Sequence, residues 1–333
     1  MPPPLATAVL IATFNRPDYL RTCLERLADQ TVAPATVIVV DSSSDERSEA
    51  VAREHGVTYV RNPLGPGHTA TSRMLGVALA GDADVIAFID DDAFAAPDWL
   101  EQLLRRYTDP NVAGVGGRAS NGQAGEENVG LDDIGKFHLD GTLSGHFAAN
   151  PETDVDVDHL LGANMSLRLA AIEELGGIRD YYPGTCLREE SEIALRARLS
   201  GWRLVYAPDA VVEHVAGPYA KGRRFDARYS YYAQRNHFVL LGRVVGRADR
   251  RFSRYLRVAA AQVRQDVAYA VRALGRRRLL GPESIASGVA RGLTKAVSTT
   301  AGITVGVMLV LSGRIPYSRP VARAMAPISD VPE

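Results

Sequence analysis

Asp84-Val85-Ile86-Ala87-Phe88-Ile89-Asp90-Asp91-Asp92 decides the reading of this chain. Its middle is a short, continuously apolar run, the pattern of a strand buried on both faces. The run stops at three adjacent carboxylates. Acids crowded at the end of a buried strand repel one another, which predicts a cation held there. A solvated acidic turn is the plain alternative, and the segments on either side argue against it.

Upstream, an apolar strand over 8–12 ends before Asn15-Arg16-Pro17, with Pro17 at a favoured first helical position. A second buried strand over 37–40 ends at Asp41 and the polar cluster Ser42-Ser43-Ser44-Asp45. A helix over 46–55, a strand over 57–60, the loop Gly65-Pro66-Gly67 and a helix over 69–80 lead back to the aspartates. Short apolar strands alternating with helices predict an α/β fold with a mainly parallel central sheet flanked by helices. In such sheets ligands bind beyond the carboxyl ends of the strands, where Asn15, Asp41 and the three aspartates all fall.

Downstream, Pro97-Asp98-Trp99-Leu100 opens a helix and 112–117 reads as a strand. Residues 118–158 are rich in Gly, Asn and Asp, which predicts a long loop with irregular pairing, a candidate lid. Helices follow from Arg168 to Gly176-Gly177 and over 189–199, with Gly201 capping the second, then two short strands at 203–206 and 211–214.

The 333 residues carry a formal charge of −1, but that balance conceals two opposite halves. Residues 1–214 hold 17 Lys and Arg against 33 Asp and Glu, whereas residues 215–333 hold 21 against 6. The acidic body suits a metal; the basic tail suits phosphate-bearing ligands or an anionic membrane surface, or simply solvates long helices. The tail reads as three helices, over 229–242, 250–274 and 282–311. Residues 296–313 carry no charge, but their Ser, Thr and Gly content makes them weakly apolar, favouring an interfacial or core-packed helix over a spanning one. Cys23 and Cys186 match no metal or redox spacing, and Met1-Pro2-Pro3-Pro4 is not the start of a signal peptide, so a cytoplasmic protein, peripheral on the inner membrane face, is expected.

Five stretches in order resemble glycosyltransferase family 2: 9–16, 39–45, 89–92, Gly162-Ala163-Asn164-Met165-Ser166, and 188–196 beginning Arg188-Glu189-Glu190; Tyr231-Tyr232, Arg235 and Asn236 resemble a pattern of its rhamnosyltransferase-like branch. The resemblance implies a GT-A fold over 1–217, with a donor half over about 5–117, an acceptor half over 118–217, and a C-terminal helical extension over 218–333. It implies an inverting enzyme that uses Mn2+ or Mg2+ and a UDP-, dTDP- or GDP-linked sugar. By that resemblance Asp92, Asp91 and His214 hold the metal; Thr13, Asn15, Asp41, Arg73 and Asp91 bind the donor, Asp41 reading the base and Arg73 facing the diphosphate. Glu190 is the base, although the family commonly has Asp there, and Met74 departs from the Asn usual after the arginine. Asn164, Glu189 and Arg235 fall on the acceptor side, Arg235 within a Tyr-x-x-Arg-Asn pattern that either pairs with a lipid diphosphate or locks the tail to the body. A polyprenyl-diphosphate-linked glycan is the implied acceptor, and no nucleic acid is expected.

Taken by themselves the residues leave alternatives. Asp41 can be a helix cap. Glu189 and Glu192 can be first-turn acids, with Glu192 and Arg196 as an exposed i,i+4 pair. A histidine after a strand, as at His214, is more often structural, and Trp202 is read as packing. A nucleotidyltransferase would want a Gly-rich phosphate loop where Asn15-Arg16-Pro17 stands, and a degenerate scaffold protein would not need acids at every strand end.

Overall fold

The computed structural model describes residues 5–215, 227–275 and 282–321. Strands β1 (Thr7–Thr13), β2 (Thr36–Asp41), β3 (Thr58–Arg61) and β4 (Val85–Asp90) form a parallel block in the order β3-β2-β1-β4. They are joined by helices α1 (Pro17–Ala28), α2 (Arg47–Glu54) and α3 (Thr69–Ala78). The period-2 alternation of these strands feeds two separate cores. Leu10, Ile38, Val40, Ile86 and Phe88 face one side with Ala70 of α3. Val9, Ile11, Val39, Ala87 and Ile89 face the other with Leu20 and Leu24 of α1.

Beyond β4 the sheet turns mixed. The remaining elements are β5 (Ala93–Ala95), α4 (Trp99–Leu104), β6 (Val112–Ser120), β7 (Val155–Asp156), β8 (Asn164–Arg168), α5 (Leu169–Glu174), α6 (Glu189–Leu199) and β9 (Arg203–His214). β8 runs antiparallel between β4 and β6, and β9 runs parallel to β6 and antiparallel to β5. The two short strands expected over 203–214 are one long strand with a kink. Pairing with β6 jumps from Gly117↔Ala207 to Arg118↔Val211, so Pro208-Asp209-Ala210 bulges out. Gly117 permits this: a Cβ there would lie 1.9 Å from the Ala210 carbonyl oxygen.

The stretch 118–158 contains little regular pairing, as expected, but Ile134, Phe147, Ala149 and Val157 are buried in the core. It is packed into the body along much of its length rather than lying over it as a loose lid.

The extension consists of α7 (Ala227–Val244), α8 (Arg250–Gly275) and α9 (Pro282–Leu311); the boundary expected at 217–218 lies outside the described residues. α9 buries Gly292, Ala296, Thr299, Gly302, Gly306 and Val310, a stripe at helical spacing. Its glycines let α7 approach closely, since a Cβ on Gly302 would lie 2.2 Å from the Tyr231 carbonyl oxygen. A third core joins α7, α8 and α9 to the body through Tyr182 and Leu195. Arg243 of α7 also donates to Glu192 of α6 at 2.7 and 3.0 Å, and Glu192 is 1% exposed. The exposed Glu192–Arg196 pair expected from spacing is therefore buried, because α7 covers that face of α6.

Candidate active site

β4 ends at Asp90, and a turn through Asp91 and Asp92 leads into β5. Asp90 is the last strand residue, whereas Asp91 and Asp92 take their directions from the turn. Asp90 and Asp92 converge with His214, each offering one ligand atom, all within 4.8 Å of one another. His214, the last residue of β9, is brought there by pairing with Ala93 of β5; its Nε2 lies 3.6 Å from Asp92 Oδ1. Two carboxylates and an imidazole suit Mn2+, and the carboxylates alone suit Mg2+. Of the three ligands expected from the sequence, Asp92 and His214 fall in this cluster, and Asp90 rather than Asp91 completes it.

Asp91 is engaged elsewhere. Thr13 Oγ1 donates to its Oδ2 at 2.7 Å, and Arg16 Nη1 donates to its Oδ1 at 2.9 Å. The same nitrogen reaches Asp92 Oδ2 at 2.7 Å. Burial pushes the Asp91 carboxyl up to about 7, against the pull of Arg16 and Thr13. Arg16 is a site residue that sequence reading missed. It stands inside the quoted strand-end motif, and β1–β4 pairing in register Ala12↔Asp90 carries it to the acids.

At the neighbouring strand end, Asp41 is fully buried with both oxygens engaged. Oδ1 accepts from the Ser43 N–H at 2.8 Å and Oδ2 from the Tyr59 hydroxyl at 3.0 Å. Burial, then Asp41, pushes the Tyr59 phenol up to about 12. The carboxylate expected to read a nucleobase is thus closed off; it shapes the 42–45 loop, and it is not a cap of α2 either. Arg61 pins that loop from β3, donating to the Ser43 and Asp45 carbonyls at 2.6 and 2.9 Å. Asn15 holds the opposite rim at φ 54°, its N–H on Ser43 Oγ at 2.7 Å and its side chain exposed.

The acid pair opens α6. Cys186 and Arg188, at φ 57° and 82°, turn the chain sharply into the helix, and such backbone strain in non-glycine residues concentrates at functional sites. Glu189 is 2% exposed and lies 2.7 Å from Arg73 Nη1. Arg73 also lies 3.8 Å from Asp90 Oδ1, donates to the Gly162 carbonyl at 3.1 Å and stacks 5.4 Å over the Phe88 ring. Expected at the diphosphate and the acceptor respectively, Arg73 and Glu189 are instead a buried pair that bridges the two halves of the site. Met74, beside it, packs its sulfur against the Ile178 N–H at 3.2 Å. Glu190 is half-buried and makes no ion pair among the described residues. Burial raises its carboxyl, with Arg73 and Arg188 opposing.

Two acceptor-side expectations are also revised. Asn164 is fully buried: its oxygen accepts from Trp99 Nε1 at 2.8 Å, and its nitrogen donates to the Arg118 and Ala210 carbonyls at 3.0 and 2.9 Å. It staples the β9 bulge to β6. Arg235 donates to the Tyr181 carbonyl and, at 2.9 Å, to Asn236 Oδ1, while Asn236 donates to the Leu187 carbonyl at 3.2 Å. Of the two roles open to Arg235, the structure shows the one that ties the extension to the body.

Acids at the carboxyl ends of a mixed sheet, faced by an acid pair on a helix, define the GT-A class of glycosyltransferase. The same fold is seen in the mannosyltransferase PcManGT from Pyrobaculum calidifontis in complex with GDP-Man and Mn2+. That match has a TM-score of 0.59 at 17% identity, over 92% of this chain and 87% of that one. GalNAc-T7 with UDP, GalNAc and Mn2+ matches at 0.55 and 16% identity, over 72% of this chain and 48% of its own. The chain belongs to glycosyl transferase family 2, whose model matches residues 8–176. Among curated relatives, the O-antigen chain rhamnosyltransferase RfbN of Salmonella typhimurium is 26% identical over 213 residues, 62% of this chain. The pre-mycofactocin glycosyltransferase of Mycobacterium tuberculosis is 30% identical over 181 residues, 54% of this chain. The aligned regions span 65% and 37% of those relatives, less than two thirds of either.

Proposed function

We propose that this protein is an inverting, divalent-metal-dependent glycosyltransferase that moves a sugar from a nucleotide-diphosphate sugar to a hydroxyl of a membrane-borne glycan acceptor. The observation that carries the reading is the position of Arg73, 2.7 Å from Glu189 and 3.8 Å from Asp90, which sets the acid pair and the acidic corner on either side of one guanidinium. Asp90, Asp92 and His214 would hold the ion, which when bound would supply Lewis-acid charge for a departing diphosphate. Glu190 takes the proton of the acceptor hydroxyl as its oxygen bonds to the anomeric carbon; the bond from that carbon to the diphosphate breaks, and the nucleoside diphosphate leaves. The N-terminus of α6 favours the ionised carboxylate that this role requires. Thr13, Asn15 and the 42–45 loop frame the nucleotide.

The acceptor is proposed to reside at the cytoplasmic face of the inner membrane because of α8 and α9. Arg254, Arg257, Arg264 and Arg272 are exposed on α8 beside exposed Leu256, Val267, Val271 and Leu274. Ser287–Leu311 of α9 is, among the described residues, the one helix long and apolar enough to cross a membrane, and it shows Leu293, Val297, Met308 and Leu311 to the outside. Arginines next to an apolar face complement an anionic bilayer surface.

A thermal-shift panel of UDP, dTDP and GDP with and without Mn2+ tests the donor reading. One base should raise Tm only when Mn2+ is present; a flat response to all three would refute it. With the preferred sugar donor, the products should be a nucleoside diphosphate and a glycoside of inverted anomeric configuration, whereas inorganic pyrophosphate would indicate nucleotidyl transfer. Sedimentation with anionic but not zwitterionic vesicles, reversed by salt, is expected of the tail; equal partition between the two would remove the membrane assignment.

A further inference from the structure

We propose that Arg16 is a displaceable counter-cation, holding Asp91 and Asp92 in the free protein and releasing them when a divalent ion and a nucleoside diphosphate enter together. The inference rests on the reading of this corner as a divalent-cation site. A single nitrogen, Nη1, is 2.9 Å from Asp91 Oδ1 and 2.7 Å from Asp92 Oδ2. Asp92 therefore has one oxygen on Arg16 and the other facing His214 at 3.6 Å. A divalent ion on Asp92 competes with a charge already in contact with the same carboxylate. Like charges that share a carboxylate weaken each other's hold on it.

Arg16 is also placed to move. Its side chain is 26% exposed, and among the described residues its hydrogen bonds and ion pairs are those to the two aspartates. It occupies the turn between the strained Asn15 at φ 54° and Pro17, where α1 begins, so its side chain leaves from a fixed backbone point at the rim of the site. A diphosphate arriving at that rim offers the guanidinium better partners, because arginine matches phosphate oxygens bidentately. Transfer of Arg16 from carboxylate to phosphate vacates Asp92 for the ion. Nucleotide and ion then promote each other's binding, and the promotion is reciprocal by linkage.

The test is Mn2+ binding, followed by the electron paramagnetic resonance signal of the free ion and by calorimetry, with wild type, Arg16→Met and Arg16→Gln. Each protein is titrated alone and with the nucleoside diphosphate that the thermal-shift panel selects. Both variants should bind Mn2+ alone more tightly, on the order of tenfold, and the nucleotide's enhancement of Mn2+ affinity should shrink by a similar factor. The Mn2+-induced rise in Tm, which needs only folded protein at the start of the scan, should likewise be larger in the variants. Unchanged or weaker Mn2+ affinity in both variants, with wild type binding normally, overturns the role of Arg16 and leaves the metal reading standing. No Mn2+ binding by any of the proteins, with or without nucleotide, overturns the metal reading and this role with it.

Discussion

At the end of β4, Arg16 reaches Asp91 and Asp92 with a side chain 26% exposed; at the start of α6, Arg73 reaches Glu189 with one 5% exposed. The chemistry is the same, a guanidinium on a carboxylate at under 3 Å, but the surroundings are not. Arg16 stands at a rim, and among the described residues its side chain bonds to those two aspartates. Arg73 is held under the sheet by the Phe88 ring, the Gly162 carbonyl and Asp90. A guanidinium at the rim can reach solvent when it leaves its buried carboxylates, while breaking the Arg73 pair strands a charge in a poor solvent. One site therefore has a replaceable cation and the other a permanent one. On the roles proposed above, that difference would separate a corner that takes in an ion from a brace that positions its neighbour, Glu190.

The largest effect is expected where the brace delivers its product. Glu190→Gln should lower kcat by about 10²–10⁴-fold, the range for losing a positioned general base, with Tm unchanged, in steady-state assays with the preferred donor. Full turnover by this variant would remove Glu190 from the chemistry.

Next is the brace itself. Arg73→Met leaves Glu189 buried and unpaired, so stability in urea should fall by about 3–5 kcal/mol. The double variant Arg73→Met/Glu189→Met should regain most of that loss, since neither charge then remains. A double variant as unstable as the single one would mean that packing over Phe88, not the ion pair, is what Arg73 contributes.

A smaller loss should come from Tyr59→Phe at the donor end. Its hydroxyl donates to Asp41 Oδ2, and Asp41 is fully buried, so its removal strands one oxygen of a charged group. The expected cost is about 1.5–3 kcal/mol in urea denaturation, the range for hydrogen bonds to charged groups. Wild-type stability would show that the Ser43 N–H suffices to hold the carboxylate.

The strand ends were legible in the sequence because buried parallel strands announce themselves by short β-branched runs, and the acids stand where those runs stop. The helices of the extension were legible for the same reason, at period 3.6. Which acid faces which way was less so. Asp91 and Asp92 lie in a turn rather than a strand, so no periodicity in the sequence says which of them joins Asp90. Arg16 and Asp91 are 75 residues apart, and only the pairing of β1 with β4 makes them neighbours. Asn164, a polar residue in an apolar return strand, invites a ligand; its partners, Trp99 and the bulge at Ala210, come from two other elements. Glu192 looked exposed because nothing in α6 itself foretells that α7 lies on it. The motif residues thus gather at one place in the fold, while their individual partners depend on long-range packing.

The finest test of the comparison is the pH profile, where the expectation is a displacement rather than a loss. In the proposed role of base Glu190 must be ionised, so activity should fall as pH drops through its pKa. Burial disfavours the ionised form and moves that fall above the ordinary glutamate range of about 4.3, while the fixed charge of Arg73 pulls it back down. In Arg73→Met, provided the protein is assayed below its unfolding temperature, the acid limb of kcat should move to higher pH than in wild type. Replacing the rim cation, as in Arg16→Met, should move that limb far less, because the guanidiniums that chiefly oppose burial at Glu190 are those of Arg73 and Arg188. Equal displacement in both variants would mean that the two arginines act as one diffuse field, and the distinction between a replaceable and a permanent cation would fail.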